Sequence, residues 1–336
     1  MPVLPPSATT ENLSQVLHRR VVEVAIERSF ATVLSHIFRL RLTYDRDTSD
    51  APATLILKAG LADRPGGPWR PGQREVAFYR QVAAETPGGT LLRCFDAHAD
   101  AETGTWHILV EDLTDTHRTA TSWPLPPAFE QAEAIVRAQA RFHAAWWGDP
   151  RLGATIGTLA EPALEKMAQQ FSNFAKDFGD RLPVGRRELH DRLIRSAPRL
   201  LAREQPRTII HGDAHTWNCF LPKAGGEARL FDWDAWRVDH ASDDLAYLMA
   251  VHWYPDLRRV FERPLLDRYH DELLRGGVAN YTRDTLVEDY RVSVLWQVAR
   301  AIWQHSINIP PVIWWNNLER LHLAVDDLDC AALLDQ

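Results

Sequence analysis

The sequence predicts an α+β fold in two lobes, a small β-rich lobe first and a larger α-rich lobe after it. Three observations carry this. Three β-like runs stand close together before residue 61. Helical patterns dominate from residue 128 onward. The helical part is interrupted once, by a β-like stretch over 207–234 that turns at KAGGE. The expected division is an N-terminal lobe over 1–112, a connector over 113–127 and a C-terminal lobe over 128–336. The space between two such lobes is a default ligand site.

Residues 9–18 read as a short helix, with Thr and Asn available as caps. VVEVAIERSF (21–30) is rich in β-branched residues, and TVLSHIFRLRLTY (32–44) alternates from Ile37 to Tyr44. ATLILKAG (53–60) is a short apolar run closed by Gly60. The Pro/Gly-rich stretch DRPGGPWRPG (63–72) reads as a loop, and QREVAFYRQVAAE (73–85) as a helix. LLRCFDAHAD and TWHILVEDL return to strand character around AETGT (101–105). The order up to residue 112 is therefore β-β-β-α-β-β. THRTATSWPLPP (116–127) reads as a connector. Helices follow over 128–147, 163–178 and 188–204, and again from the end of the β-like stretch to the C-terminus.

Composition narrows the function. The chain has 336 residues, 45% hydrophobic and 25% charged, which excludes disordered, collagen-like and coiled-coil classes. A net charge of −7 argues against a dedicated nucleic-acid binder. Three dispersed cysteines, Cys94, Cys219 and Cys330, form no metal-binding pair and suit a reducing compartment. The first residues carry no signal-peptide pattern, and no window is apolar enough to span a membrane. The expectation is a cytoplasmic protein with no membrane or nucleic-acid partner. Only four of the 38 basic residues are Lys (Lys58, Lys166, Lys176 and Lys223), so a Lys in an unusual place needs a reason.

Chemistry concentrates in HGDAHTWN (211–218), which sets His211, Asp213, His215 and Asn218 after a short β-like run. LFDWD (230–234) then delivers Asp232 and Asp234. A hairpin would bring Asp213, Asn218 and Asp232 together as hard oxygen ligands suited to Mg2+. Asp and Asn after a strand are also ordinary turn residues. A third reading is a transition-metal site on His211, Asp213 and His215, as hydrolases use. Lys58 ends the apolar run TLILK, where an unpaired ammonium would be costly. Glu75, 17 residues on, is a candidate partner, and such a Lys–Glu pair positions nucleotide phosphates in kinase sites. A strand-end Lys reaching solvent is the plainer reading.

Together, HGDAHTWN, FDWD and DDLAYL (243–248) resemble the aminoglycoside phosphotransferase and choline kinase superfamily, whose fold is similar to that of the protein kinases. DWDAWRVDHASDDLAYLM and the ending IPPVIWWNNLERLHLAVDDLDC resemble a bacterial branch related to the ecdysteroid-kinase-like group.

The resemblance implies ATP as phosphate donor, Mg2+ as its cation and a small-molecule hydroxyl as acceptor. It implies that Asp213 is the base or orients that hydroxyl, and that Asn218 and Asp232 hold Mg2+. Lys58, held by Glu75, would contact the phosphates. Backbone groups around Glu111, Asp112 and Leu113 would contact adenine. Asp244 and His211 would brace the catalytic loop, His215 would line the acceptor side, and Asp234 would support the metal shell or its hydrogen bonds.

Two features depart from the pattern. The turn ERSFATVLS (27–35) lacks a Gly-rich loop, and Val238-Asp239-His240 stands where many relatives have Gly-Asp-Pro.

The acceptor is expected to be a hydroxylated molecule that is not strongly cationic, because segment 250–336 is only mildly acidic and rich in Trp and Tyr. Two other functions remain open at this point: a nucleotide-binding pseudoenzyme or regulatory module, and a metal-dependent hydrolase using His211, Asp213 and His215.

Overall fold

A computed structural model describes residues 5–32, 35–46, 50–61, 71–159 and 163–335. Most of the predicted loop over 63–72 lies outside the described residues, as do positions 33 and 34 of the glycine-free turn. The chain divides into two compact units. One comprises residues up to 118 together with 220–236, and the other comprises 119–219 and 237 onward.

The first unit is built on a five-stranded antiparallel sheet. Its strands are β1 (Val21–Ala31), β2 (Ser35–Tyr44), β3 (Thr54–Gly60), β4 (Cys94–Ala99) and β5 (Trp106–Glu111), in spatial order β1-β2-β3-β5-β4. The alternation read from Ile37 to Tyr44 is real. Phe38, Leu40 and Leu42 of β2 are buried, with Leu55 and Leu57 of β3 and Leu109 of β5 beside them. Each fully buried Leu here is worth about 1.5–3 kcal/mol. Helix α1 (Thr10–Leu17) adds Leu13 to the same core, and the Thr9 side chain caps it by accepting the Asn12 N–H.

Register matters for the site. Leu57 pairs with Leu109 and Lys58 with Ile108, so alternation turns Lys58 away from the face that buries Leu55 and Leu57. Helix α2 (Pro71–Phe78) continues as a π-helical turn over Tyr79–Ala83 and buries Val76, Phe78, Tyr79 and Val82. The expected helix over 73–85 is thus present but not uniformly α.

Three short strands, β6 (His117–Thr119), β8 (Cys219–Pro222) and β9 (Arg229–Leu230), form a second sheet in the order β6-β8-β9. β6 falls in the expected connector; three residues are too few to show periodicity. The predicted hairpin around KAGGE is the pair β8–β9.

The second unit is mainly helical: α3 (Phe129–Ala145), α4 (Leu164–Phe178), α5 (Val184–Leu201), α6 (Ser242–Ala246), α7 (Pro255–Arg275), α8 (Arg283–Ser306) and α9 (Pro311–Asp327). Helix α5 starts four residues before the expected 188, and Pro198 lies within it. α3 packs on α7. At the end of α7, Gly276 lies so near α3 that a Cβ would sit 2.5 Å from that of Ala144.

Strand β7 (Thr208–Ile210) pairs antiparallel with β10 (Arg237–Asp239), Ile209 facing Val238. The β-like run before HGD therefore pairs beyond the hairpin rather than within it. This pair flanks the loop that holds His211 to Asn218, and α6 follows β10 closely enough to return Asp243 and Asp244 to that loop.

Candidate active site

In the first unit the chemistry is centred on Lys58. Its Nζ lies 2.7 Å from Oε2 of Glu75 on α2 and is also hydrogen-bonded to Oδ1 of Asp232. Glu75 is 1% exposed, and its Oε1 accepts the backbone N–H of Trp233 at 3.3 Å. Burial alone would lower the Lys58 pKa, but the carboxylates of Glu75 and Asp232 hold it above its ordinary value. Burial pushes the Glu75 carboxyl up, against the pull of Lys58.

The segment carrying Asp232 is pinned to α2. Trp233 stacks on Phe78 with ring centroids 4.0 Å apart, and the Trp236 indole N–H donates to the Arg74 carbonyl at 2.7 Å. Asp232 itself adopts a left-handed φ of 68°, while Asp234 sits partly buried in the same segment.

The predicted adenine-contacting stretch ends β5. The Glu111 side chain accepts the Arg93 N–H at 2.8 Å. Asp112 accepts from Arg39 Nε at 2.6 Å and from the Thr114 N–H at 3.0 Å, and the Leu113 carbonyl accepts the N–H groups of Thr116 and His117. Both carboxylates are thus engaged by the chain's own groups.

In the second unit the loop after β7 is organised by Asp244, which has no exposed surface. Its Oδ2 accepts the His211 N–H at 2.7 Å and its Oδ1 the Gly212 N–H at 2.9 Å. His143 Nε2 lies 3.2 Å from the same carboxylate, and the other ring nitrogen is 2.7 Å from the Tyr269 hydroxyl. Gly212, with φ of 76°, makes the turn that a side chain would strain.

Asp213 follows directly. Asn218 Nδ2 donates to its carbonyl at 3.0 Å and to Oδ2 at 3.2 Å, and His215 Nε2 is 3.4 Å from Oδ2. Burial opposes charge on Asp213, but His215, Arg300 and the Tyr247 hydroxyl together lower its pKa to about 2. It is therefore a carboxylate throughout the neutral range.

Within each unit, then, the predicted residues gather: Lys58, Glu75 and Asp232 in the first, and His211, Asp213, His215, Asn218 and Asp244 in the second. The transition-metal reading finds no support. Among the described residues no group of three His, Cys, Asp or Glu is placed to hold a metal ion, and His211 Nδ1 instead faces the Asp213 N–H at 3.3 Å.

Sequence reasoning missed Arg300 and Tyr247, which both reach Asp213, and His143 behind Asp244. It also gave no sign of a groove of about 680 Å3 between α4 and α5, lined by Phe171, Lys176, Arg187 and His190 among others. None of the predicted site residues lines it.

A β-rich unit carrying a Lys–Glu pair and a helical unit carrying an HGD loop define a kinase-like α+β phosphotransferase fold. Residues 39–283 match the model of the phosphotransferase enzyme family, to which this chain belongs. Solved structures agree on the fold. A protein from Ralstonia eutropha, provisionally assigned as an aminoglycoside phosphotransferase, is 14% identical with a TM-score of 0.58, covering 96% of this chain and 98% of its own. One from Thermobifida fusca, provisionally assigned as a fructosamine-3-kinase, is 18% identical with a TM-score of 0.54, covering 98% and 99%. A choline/ethanolamine kinase family protein from Mesorhizobium loti is 14% identical with a TM-score of 0.54, covering 91% of each chain. Comparison with curated proteins finds no match. The chain is thus a phosphotransferase by family.

Proposed function

We propose that this protein is an ATP- and Mg2+-dependent O-phosphotransferase acting on a hydroxyl of a small molecule that is not strongly cationic. The observation that carries the reading is Lys58, an ammonium held between the carboxylates of Glu75 and Asp232 at the end of an apolar strand. Structural ion pairs do not need so costly a place; an anionic ligand does.

In this reading the N-terminal lobe binds nucleotide. Lys58 contacts its phosphates, Glu75 fixes Lys58, and backbone groups of Glu111 to Leu113 meet the adenine. The oxygens of Asp232 and Asn218 suit Mg2+, a hard cation that prefers carboxylate and carbonyl donors. Bound Mg2+ neutralises charge on the transferring phosphoryl group.

Asp213 accepts a hydrogen bond from the acceptor hydroxyl and orients its oxygen for in-line attack. It takes the proton as the bond from that oxygen to the γ-phosphorus of ATP forms and the bond to the β–γ bridging oxygen breaks, releasing ADP. A carboxyl whose pKa is about 2 is a weak base, so its main contribution is orientation and proton transfer comes late. His211 and Asp244 hold the loop, His215 lines the acceptor side, and Asp234 supports the Asp232 segment. The Arg300 guanidinium beside Asp213 disfavours polycationic acceptors.

Among the described residues no helix is long and apolar enough to cross a membrane. We place the reaction in the cytoplasm, with no nucleic-acid partner. Nothing observed favours a binding-only module or a hydrolase.

Calorimetric titration of ATP with and without Mg2+ into wild type and Asp232→Asn tests the nucleotide half. Magnesium-dependent binding that weakens at least tenfold in the variant is expected; no ATP or GTP binding by folded protein overturns the reading. An acceptor screen by phosphate transfer tests the other half. Asp213→Ala is expected to abolish transfer while ATP still binds, and transfer retained at wild-type rate refutes the role of Asp213.

A further inference from the structure

The loop His211–Asn218 contains no Lys or Arg, yet a permanent cation stands against its aspartate. It comes from α8. Arg300 donates from one terminal nitrogen to the Gly212 carbonyl at 2.6 Å and from the other to Asp213 Oδ1 at 3.3 Å. Its guanidinium lies over the Tyr247 ring, 4.0 Å from the centroid, and the Tyr247 hydroxyl is itself hydrogen-bonded to Asp213.

The two carboxylate oxygens are thus held from different directions. Oδ1 takes Arg300, while Oδ2 takes Asn218 at 3.2 Å and has His215 at 3.4 Å. A planar guanidinium bonded to both the loop backbone and the carboxylate, and stacked on an aromatic face, has little freedom to rotate. A Lys at the same place would supply the charge without that geometry.

We propose that Arg300, backed by Tyr247, is the positioning residue for Asp213: it fixes the rotation of the carboxylate that receives the acceptor hydroxyl. The proposal rests on the reading of Asp213 given above. It makes α8 part of the acceptor half-site, although its sequence shows only an ordinary helix.

A purely structural tie between α8 and the loop, through the Gly212 carbonyl, is the competing explanation, and it predicts lost stability rather than a selective loss of turnover that guanidinium rescues. The charged and titratable groups around Asp213 are His211 and His215 from its own loop, Tyr247 and His252 from the turn after α6, and Arg300 from α8. Asp243 lies behind Tyr247 and Arg300. Arg300 is the only fixed cation among these, so removing it should be felt at Asp213 whatever the histidines do.

The test compares Arg300→Met and Arg300→Lys with wild type. Turnover of the best acceptor, with and without millimolar guanidinium ion, is measured together with the KM for ATP and the melting temperature of each variant.

Arg300→Met is expected to lower kcat at least tenfold with the KM for ATP within twofold, and guanidinium should restore part of kcat. Arg300→Lys should keep the charge yet lose activity, because the fork geometry is gone. An unchanged kcat, or a loss that tracks only the melting temperature without guanidinium rescue, overturns the proposal. Transfer persisting in Asp213→Ala would instead break the reading of Asp213, whatever the Arg300 variants do. If Arg300→Met does not fold, Arg300→Lys carries the same measurements.

Discussion

Asp244 accepts the backbone N–H of His211 at 2.7 Å and so fixes the first residue of the HGD loop from a helix 33 positions later. Its second oxygen does the same for Gly212, and His143 closes the network from behind. Burial works against this carboxylate, yet His143, the neighbouring His211 and the Gly212 N–H hold its pKa below the ordinary range. Asp244→Asn keeps the size but sets an amide N–H against one of the loop N–H groups. That leaves a buried donor unpaired, at a cost of about 2–3 kcal/mol. Urea denaturation should show this loss, and Asp244→Ala should lose at least as much. A change below 1 kcal/mol for Asp244→Asn would mean the loop is held mainly by other contacts.

The Lys58–Glu75 pair makes a separate prediction. Lys58→Met leaves Glu75, 1% exposed, without its counter-ion, and breaking a buried pair typically costs about 3–5 kcal/mol. Glu75→Gln in the Lys58→Met background removes the orphaned charge and should recover more than half of that loss. ATP binding should not return with it, because the ammonium is still missing. Denaturation and calorimetry on the two variants separate these effects; recovery of binding without recovery of stability would contradict the assignment.

How much of this was legible in the sequence follows from the kind of signal each part leaves. The sheet announced itself because β2 buries alternate residues from Phe38 to Leu42, and the alternation from Ile37 to Tyr44 is hard to produce otherwise. Lys58 was conspicuous because Lys is scarce in this chain and an apolar strand is the wrong place for one. HGDAHTWN and FDWD were dense in polar residues within one short span.

The parts that escaped are those whose meaning is set by distant partners. β7 and β10 are three residues each, so neither carries periodicity, and their pairing depends on chain closure across the loop. Arg300 looks like any of the many helix arginines until α8 packs, and its partner Asp213 is 87 positions away. Tyr247 lies in a buried run, Leu245 to Val251, whose composition reads as core. The π-helical turn after α2 leaves no simple pattern in composition.

Asp232 offers a test of backbone strain. Its φ of 68° lies in the left-handed region, where Asn and Gly are tolerated and Ala costs about 1–2 kcal/mol. Asp232→Gly and Asp232→Ala both remove the side-chain acceptor of Lys58, so the difference between them isolates the backbone; Asp232→Asn keeps an amide oxygen at that place. Ala is expected to be less stable than Gly by about 1 kcal/mol. Equal stability of these two in guanidinium melts would show that the turn relaxes.

His190 predicts how the fold responds to acid. It is 3% exposed on α5, stacked edge-on against Phe171, with its Nε2 3.1 Å from that of His322. Burial first, then His322 and Arg186, push its pKa down to about 3, against about 6.5 in an unfolded chain. Between those values the unfolded chain holds a proton that the native state does not. Stability is therefore intact above pH 6.5 and falls as the pH drops below it, by up to about 1.4 kcal/mol per pH unit for one proton. His190→Gln keeps a polar partner for His322 but cannot titrate. It should cost some stability at pH 7, while flattening the decline between pH 6.5 and 5 by about one proton. Urea melts across that range measure the slope directly. Parallel slopes for wild type and variant would place the acid sensitivity elsewhere, first of all on His252, which is half-buried beside His215 and likewise has its pKa pushed down.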